Sequence, residues 1–212
     1  MSKTAFIFGA GDCRTAPVTD GALVIAADGG LRHLERLGMT PDYILGDFDS
    51  LGRVPQGENV FRYPPAKDDT DTVLAAKLAL SLGARRVAVY GGLGGREDHS
   101  FANYTAAAWL SRRGARTAII GDEYSVFALT DDFLSLRGVR GTVSVFAFGG
   151  SARAKIEGLE YPFDGELDPF FPLGVSNSSR NGGIVTSLGG TLLVFVYADP
   201  TTALRLLEED ND

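Results

Sequence analysis

Cysteine is almost missing from this chain. The single thiol, Cys13, excludes an internal disulfide and a zinc site built on cysteines. Only two histidines occur, His33 and His99, and they form neither a His-Glu-x-x-His pattern nor a two-histidine, one-carboxylate pattern. Long apolar runs are also absent. Leu23 to Ala27 and Leu192 to Ala198 are strand-length and too short to cross a bilayer, so no membrane partner is expected. No basic and apolar leader with a small-residue cleavage site opens the sequence, which points to a cytoplasmic protein. Positive charge is in deficit, with 20 Lys and Arg against 27 Asp and Glu. A net charge of −7 repels a phosphate backbone, so nucleic acid is not an expected partner.

What is present is ordinary globular composition, 44% hydrophobic and 22% charged over 212 residues. Surface scaling gives roughly 9,500 Å² exposed when folded against about 33,000 Å² unfolded, enough for one large domain or two modest ones. The informative bias lies within the acids, where 18 Asp stand against 9 Glu. Glu suits helix surfaces, whereas Asp suits turns, caps and hard-cation sites. Asp28, Asp42, Asp47, Asp49, Asp68, Asp69 and Asp71 fall within one short stretch.

The pattern changes midway. Thr4 to Phe8, Ala22 to Ala27, Tyr43 to Leu45, Val60 to Arg62, Arg86 to Tyr90 and Thr117 to Ile120 read as strands, mostly apolar throughout. Gly30 to Leu37, Thr70 to Leu82 and His99 to Arg112 read as helices between them, the last with Phe101, Tyr104, Ala108 and Trp109 as its buried stripe. This succession predicts a doubly wound, mostly parallel sheet with helices on both faces over residues 1–122. Residues 123–212 carry β-branched and aromatic runs between Gly-rich turns: Tyr124 to Leu129, Phe133 to Leu136, Thr142 to Phe148, Ala154 to Ile156, Ile184 to Ser187 and Thr191 to Tyr197. They predict an antiparallel, sandwich- or barrel-like β domain with one helix, Thr201 to Glu209, at its end.

Polar clusters follow the carboxyl ends of the first-half strands, where open α/β sheets bind ligands. They are Asp28-Gly29-Gly30, Gly46-Asp47-Phe48-Asp49-Ser50 and Gly91-Gly92-Leu93-Gly94-Gly95-Arg96-Glu97-Asp98. On a turning backbone Asp47 and Asp49 can both face one cation, and Mg²⁺ takes a few carboxylates with substrate phosphates. The blander reading is a turn-capping Asp beside an incidental one. In Asp68-Asp69-Thr70-Asp71 one member is expected to cap a helix, which leaves carboxylates over for metal. The Gly91 segment lacks the Gly-Lys-Ser/Thr of a Walker loop, yet its N–H groups can meet phosphate oxygens with Arg96 as a clamp. Asp98 caps the following helix on the plainer reading. Gly9-Ala10-Gly11 is not a dinucleotide fingerprint, because position 14 is Arg. His33 reads as a packing or surface residue and Cys13 as a buried thiol.

Taken in order, these motifs, with Lys67-Asp68-Asp69-Thr70-Asp71, His99 after Asp98, and Gly174-Val175-Ser176-Asn177, resemble the thiamine pyrophosphokinase family over almost the whole chain. The resemblance implies transfer of the ATP β,γ-diphosphoryl group to the hydroxyl of thiamine, with release of AMP. It also implies Mg²⁺ and a homodimer with thiamine near the subunit interface. By the same resemblance Asp47, Asp49 and Asp71 are the metal-binding and catalytic carboxylates. Asp28 and Asp98 complete the acidic site, with Arg96 and Lys67 as phosphate neutralisers. Gly29, Gly30, Thr70, Gly94 and Gly95 belong with these around the nucleotide. Ser176 and Asn177 fall on the thiamine-contacting motif, and Tyr161 stands in a segment where relatives often carry Trp. Ser178-Ser179-Arg180 replaces an acidic residue common in relatives.

Two other readings compete. Asp47-Phe48-Asp49-Ser50 resembles the Asp-x-Asp motif of haloacid-dehalogenase-type phosphatases, whose first Asp is a nucleophile; that motif usually follows the first strand, and here two strands precede it. The other is a thiamine- or nucleotide-binding module without turnover.

Overall fold

A computed structural model describes residues 3–49, 51–64, 66 and 68–209. The first half runs β1 (Lys3–Phe8), β2 (Leu23–Ala27), α1 (Leu31–Leu37), β3 (Tyr43–Gly46), β4 (Val60–Arg62), α2 (Asp71–Ser81), β5 (Ala84–Tyr90), α3 (Glu97–Ser111) and β6 (Arg116–Ile120). The second half runs β7 (Ser125–Thr130), β8 (Phe133–Ser135), β9 (Gly141–Ala147), β10 (Ala152–Glu157), β11 (Phe163–Leu167), β12 (Asn177–Ser179), β13 (Ile184–Gly189), β14 (Thr191–Val196) and α4 (Pro200–Glu208).

The apolar first-half strands pair in parallel, in the order β6-β5-β1-β2-β3-β4. Because β2 lies to one side of β1 and β5 to the other, the strand order reverses between β1 and β5, and a crevice opens beyond their carboxyl ends. The sheet does not stop there. A tight return at Gly121, whose N–H bonds the Tyr124 carbonyl at 3.1 Å, sends β7 back antiparallel to β6. Then β14, β9 and β12 extend the same sheet to ten strands. Hydrogen bonding is therefore continuous across 122/123, and what changes there is strand direction.

The remaining strands form a second antiparallel sheet, β11-β10-β13-β8. β10 alternates buried and open residues, and its inward Ala152, Ala154 and Ile156 pack with Val145, Leu192 and Val194 of the large sheet. This core continues under β1 and β5, where Phe6, Phe8 and Tyr90 are fully buried, and takes in the apolar face of α4. On the opposite face α2 and α3 present Ala75, Ala76, Ala79, Ala107 and Leu110 to Ile7, Ile25 and Val89. Small side chains let the helix backbones sit close to the sheet.

Several details differ from the sequence reading. α3 starts at Glu97, so Asp98 lies inside its first turn and Arg96 occupies the cap position. Phe101 is 61% exposed rather than part of a buried stripe. The helix seats an alanine-rich face, and its large aromatics flank it, with Phe101 resting against Phe148. β11 and β12 carry Asp, Gly, Glu, Asn and Ser, which have little strand preference, and are held by pairing with β10 and β9.

Candidate active site

Two turns meet at the crevice. After β2 the chain makes a 3₁₀ turn at Asp28–Gly30, with Asp28 at φ +44°. Its tightness depends on Gly30, where a Cβ would stand 1.8 Å from the Phe8 carbonyl oxygen. After β3 the Asp47-Phe48-Asp49 turn passes through a left-handed Phe48 at φ +65°, a costly conformation for a bulky residue. Phe48 buries its ring, so Asp47 and Asp49 are both carried on a reversing backbone. The two turns are joined: the Phe48 N–H donates to Asp28 Oδ1 at 3.1 Å, and the Asp49 N–H donates to Asp47 Oδ1 at 3.1 Å.

The result is a cluster of carboxylates. Asp28, Asp47 and Asp49 each offer an oxygen within 4.8 Å of the others. Like charges this close repel in water, and a hard divalent cation with oxygen ligands relieves the repulsion. The donor set therefore fits Mg²⁺. Asp71 is not in this triplet but lines the same cleft from the first turn of α2, as do Asp69 and Thr70. Thr70 is the residue that caps α2, its Oγ1 accepting the Val73 N–H at 3.3 Å, while Asp69 pairs with Lys77 at 2.5 Å.

The cleft holds about 310 Å³ and is floored by the β1 and β5 loops. Gly9 and Gly11 donate N–H to the carbonyls of Tyr90 and Gly91, and Asp12 donates to Leu93, each at 2.8 Å. On the far side of this double strand of glycines lies a larger cleft of about 640 Å³, sharing Ala10, Gly11 and Gly94 with the first. Asp12, Arg14, His33, Glu97, Asp122 and Glu123 line it. Its wall is clamped from two elements. His33 Nε2 donates to the Gly11 carbonyl at 2.8 Å, and Asp122 accepts the Arg14 N–H at 3.0 Å.

Other expected residues lie outside the acidic cleft. Gly29 and Gly30 are buried behind Asp28. Arg96 and Asp98 make a two-point pair on the surface, at 3.1 and 2.5 Å, and neither lines the cleft. The Arg96 guanidinium holds the Asp98 carboxyl below the usual range. Asp98 lines instead a groove between α2 and α3 with Phe101 and Trp109. Gly95 is exposed. Lys67 lies outside the described residues, as does Ser50. Ser176, Asn177 and Tyr161 are in the second half, and none lines either cleft. Asn177 is buried and bonds the Tyr161 backbone both ways, at 3.0 and 2.7 Å, while Ser176, at φ +58°, donates its N–H to Ser144 Oγ at 3.0 Å.

Asn103, which the residue reading did not single out, lines the acidic cleft together with His99, which that reading names as the end of the Gly91 motif. Their four-residue spacing on one helix face was the available signal.

A carboxylate cluster beside glycine loops, at the point where a doubly wound sheet reverses its strand order, defines the class of α/β proteins that seat a phosphate-bearing ligand with a hard cation. Residues 18–120, just under half of the chain, match the family model for the thiamin pyrophosphokinase catalytic domain. The matched stretch holds every acidic motif and stops short of Tyr161, Ser176 and Asn177.

Solved structures agree in fold. Thiamine pyrophosphokinase from Bacillus subtilis superposes with a TM-score of 0.80 at 21% identity, over 93% of this chain and 100% of its own. The enzyme from Geobacillus thermodenitrificans gives 0.78 at 21% identity, over 94% and 99%. Thiamin pyrophosphokinase from Candida albicans gives 0.71 at 14% identity, over 92% and 90%. No curated protein sequence matches the chain.

Proposed function

We propose that this protein is a Mg²⁺-dependent ATP:thiamine diphosphotransferase that yields thiamine diphosphate and AMP. The observation that carries the reading is the triplet of Asp28, Asp47 and Asp49 at the reversal point, in a chain whose first half matches the thiamin pyrophosphokinase catalytic domain. These carboxylates would hold Mg²⁺, which when bound neutralises phosphate charge that the acidic cleft would otherwise repel. The N–H groups of the Gly91 to Gly95 segment cradle the phosphates, and the larger cleft gives room for the nucleoside.

In the reaction the thiamine hydroxyl oxygen bonds to the β-phosphorus, and the bond from that phosphorus to the oxygen bridging the α-phosphate breaks. AMP leaves with that oxygen. Asp71, which shares the cleft with Asp28 and Asp47, takes the hydroxyl proton. Most of the acceleration then comes from positioning and charge, as in other phosphoryl-type transfers.

Tyr161, Ser176 and Asn177 serve thiamine through a homodimer. Phe170, Phe171, Leu173 and Val175, beside Ser176, are 94%, 64%, 55% and 55% exposed, an apolar patch of the kind a second copy covers. The protein is expected to work in the cytoplasm. Incubation with ATP, Mg²⁺ and thiamine, followed by chromatography, tests the assignment. AMP appearing in step with thiamine diphosphate supports it; ADP in place of AMP, or no product, overturns it.

A further inference from the structure

The carbonyls along the β5 loop are satisfied in an uneven way. Those of Tyr90, Gly91 and Leu93 accept backbone N–H groups from residues 9–12, so they are tied into the extension of the parallel β1–β5 pair. The Gly92 carbonyl accepts instead from a side chain, Asn103 Nδ2, at 2.8 Å across the cleft-side face of α3. Both residues line the acidic cleft. A peptide unit is planar, so fixing the Gly92 carbonyl also fixes the direction of the Leu93 N–H. Gly92 lacks the Cβ that would resist rotation of this unit, and the loop has left-handed glycines on either side at Gly91 (φ +62°) and Gly94 (φ +78°).

We infer that Asn103 is a positioning residue for the triphosphate: it holds the Gly92–Leu93 peptide so that its carbonyl is turned away from an anion in the cleft. This rests on the function proposed above. Without the amide, the peptide turns over at small cost and sets a carbonyl oxygen against the phosphates. The acceptor alcohol carries no such charge and does not meet the penalty.

Asn103→Leu keeps the volume of the side chain and removes the donor; Asn103→Ala is the second variant should the first fold poorly. Steady-state kinetics on both are expected to show the KM for ATP raised about 10-fold, the scale of one lost hydrogen bond, with the KM for thiamine changed less than twofold. Calorimetric titration with MgATP reads the same loss directly, without turnover. An unchanged affinity for ATP in both variants overturns the inference. So does an equal rise in both KM values with a matching fall in unfolding temperature, which marks a merely structural role. If the wild type binds MgATP but forms no AMP, the proposed function fails while the calorimetry still decides the role of Asn103. A wild type that binds no MgATP overturns both.

Discussion

Gly30 carries no functional group, yet replacing it with alanine is expected to disable the site. The added Cβ would stand 1.8 Å from the Phe8 carbonyl oxygen and 2.3 Å from its carbon, and both are backbone atoms in the central strand. Real Cβ contacts essentially never fall under 3.0 Å, so the turn must move outward by at least about 1.2 Å. Asp28 begins that turn, and its carboxylate accepts the Phe48 N–H, so the displacement passes directly to the Asp47-Phe48-Asp49 reversal. A misplacement of about 1 Å in a catalytic constellation costs on the order of 100-fold in rate. Overpacking adds a stability loss of about 1–3 kcal/mol, or roughly 2–4 °C in Tm for each kcal/mol in a chain of this length. Gly38→Ala is the control. Gly38 is left-handed, at φ +68°, where Gly30 is right-handed at φ −59°, but nothing lies within 4 Å of its Cβ direction and it ends α1 away from both clefts. It should lose a comparable amount of stability and keep full AMP formation. The reasoning is refuted if Gly30→Ala turns over within threefold of the wild type, or if both variants lose activity alike.

Asp47→Asn should lower turnover at saturating Mg²⁺ by at least about 100-fold while raising the unfolding temperature of the metal-free protein, because it relieves repulsion within the triplet. A fall in both quantities would mean that the residue is structural. Asp199 caps α4 by accepting the Thr201 and Thr202 N–H groups, each at 3.0 Å, and the Thr202 bonds hold its carboxyl below the usual range. A carboxyl depressed on folding adds stability that is present above its unfolded pKa and is lost as pH falls through the folded one. Asp199→Ala should therefore cost about 1 kcal/mol at pH 7, with denaturation curves converging on wild type near pH 2; a gap that persists there contradicts this. Burial pushes the Cys13 thiol up to about 11, so labelling by a disulfide reagent at pH 8 should run about 100-fold slower in the native protein than in urea. Fast native labelling would contradict the burial.

The parts of the fold legible in the sequence are those where burial on both faces writes itself as apolar runs. β1, β2, β5 and β6 are nearly all buried, and the sequence reading finds each of them. β11 is polar and half-exposed and β12 is polar though mostly buried, and only pairing with β10 and β9 makes them strands, so no local signal announced them. The acidic cleft was legible because strand ends and Asp-Gly turns carry it in contiguous motifs. Its internal arrangement was not. The family resemblance groups Asp71 with Asp47 and Asp49, whereas the described residues bring Asp28 within 4.8 Å of that pair, through a left-handed Phe48 and a glycine pressed against β1.

The same distinction explains what the second half leaves open in a single copy. Asn177 is spent on the Tyr161 backbone, which fixes the segment carrying Tyr161, and Tyr161 itself is 65% exposed beside an uncovered apolar loop. An aromatic ring held rigidly at a surface gains from burial only when another surface meets it. If the acceptor is seated between two chains, mutating Tyr161→Ala should raise the KM for thiamine by about 10-fold and leave ATP binding by calorimetry unchanged, because the acidic cleft is built wholly from the first half. Diluting the protein through its dimer dissociation range should then reproduce the loss of thiamine affinity without any mutation. A chain that keeps full thiamine affinity as a monomer would show that the second half acts within its own copy.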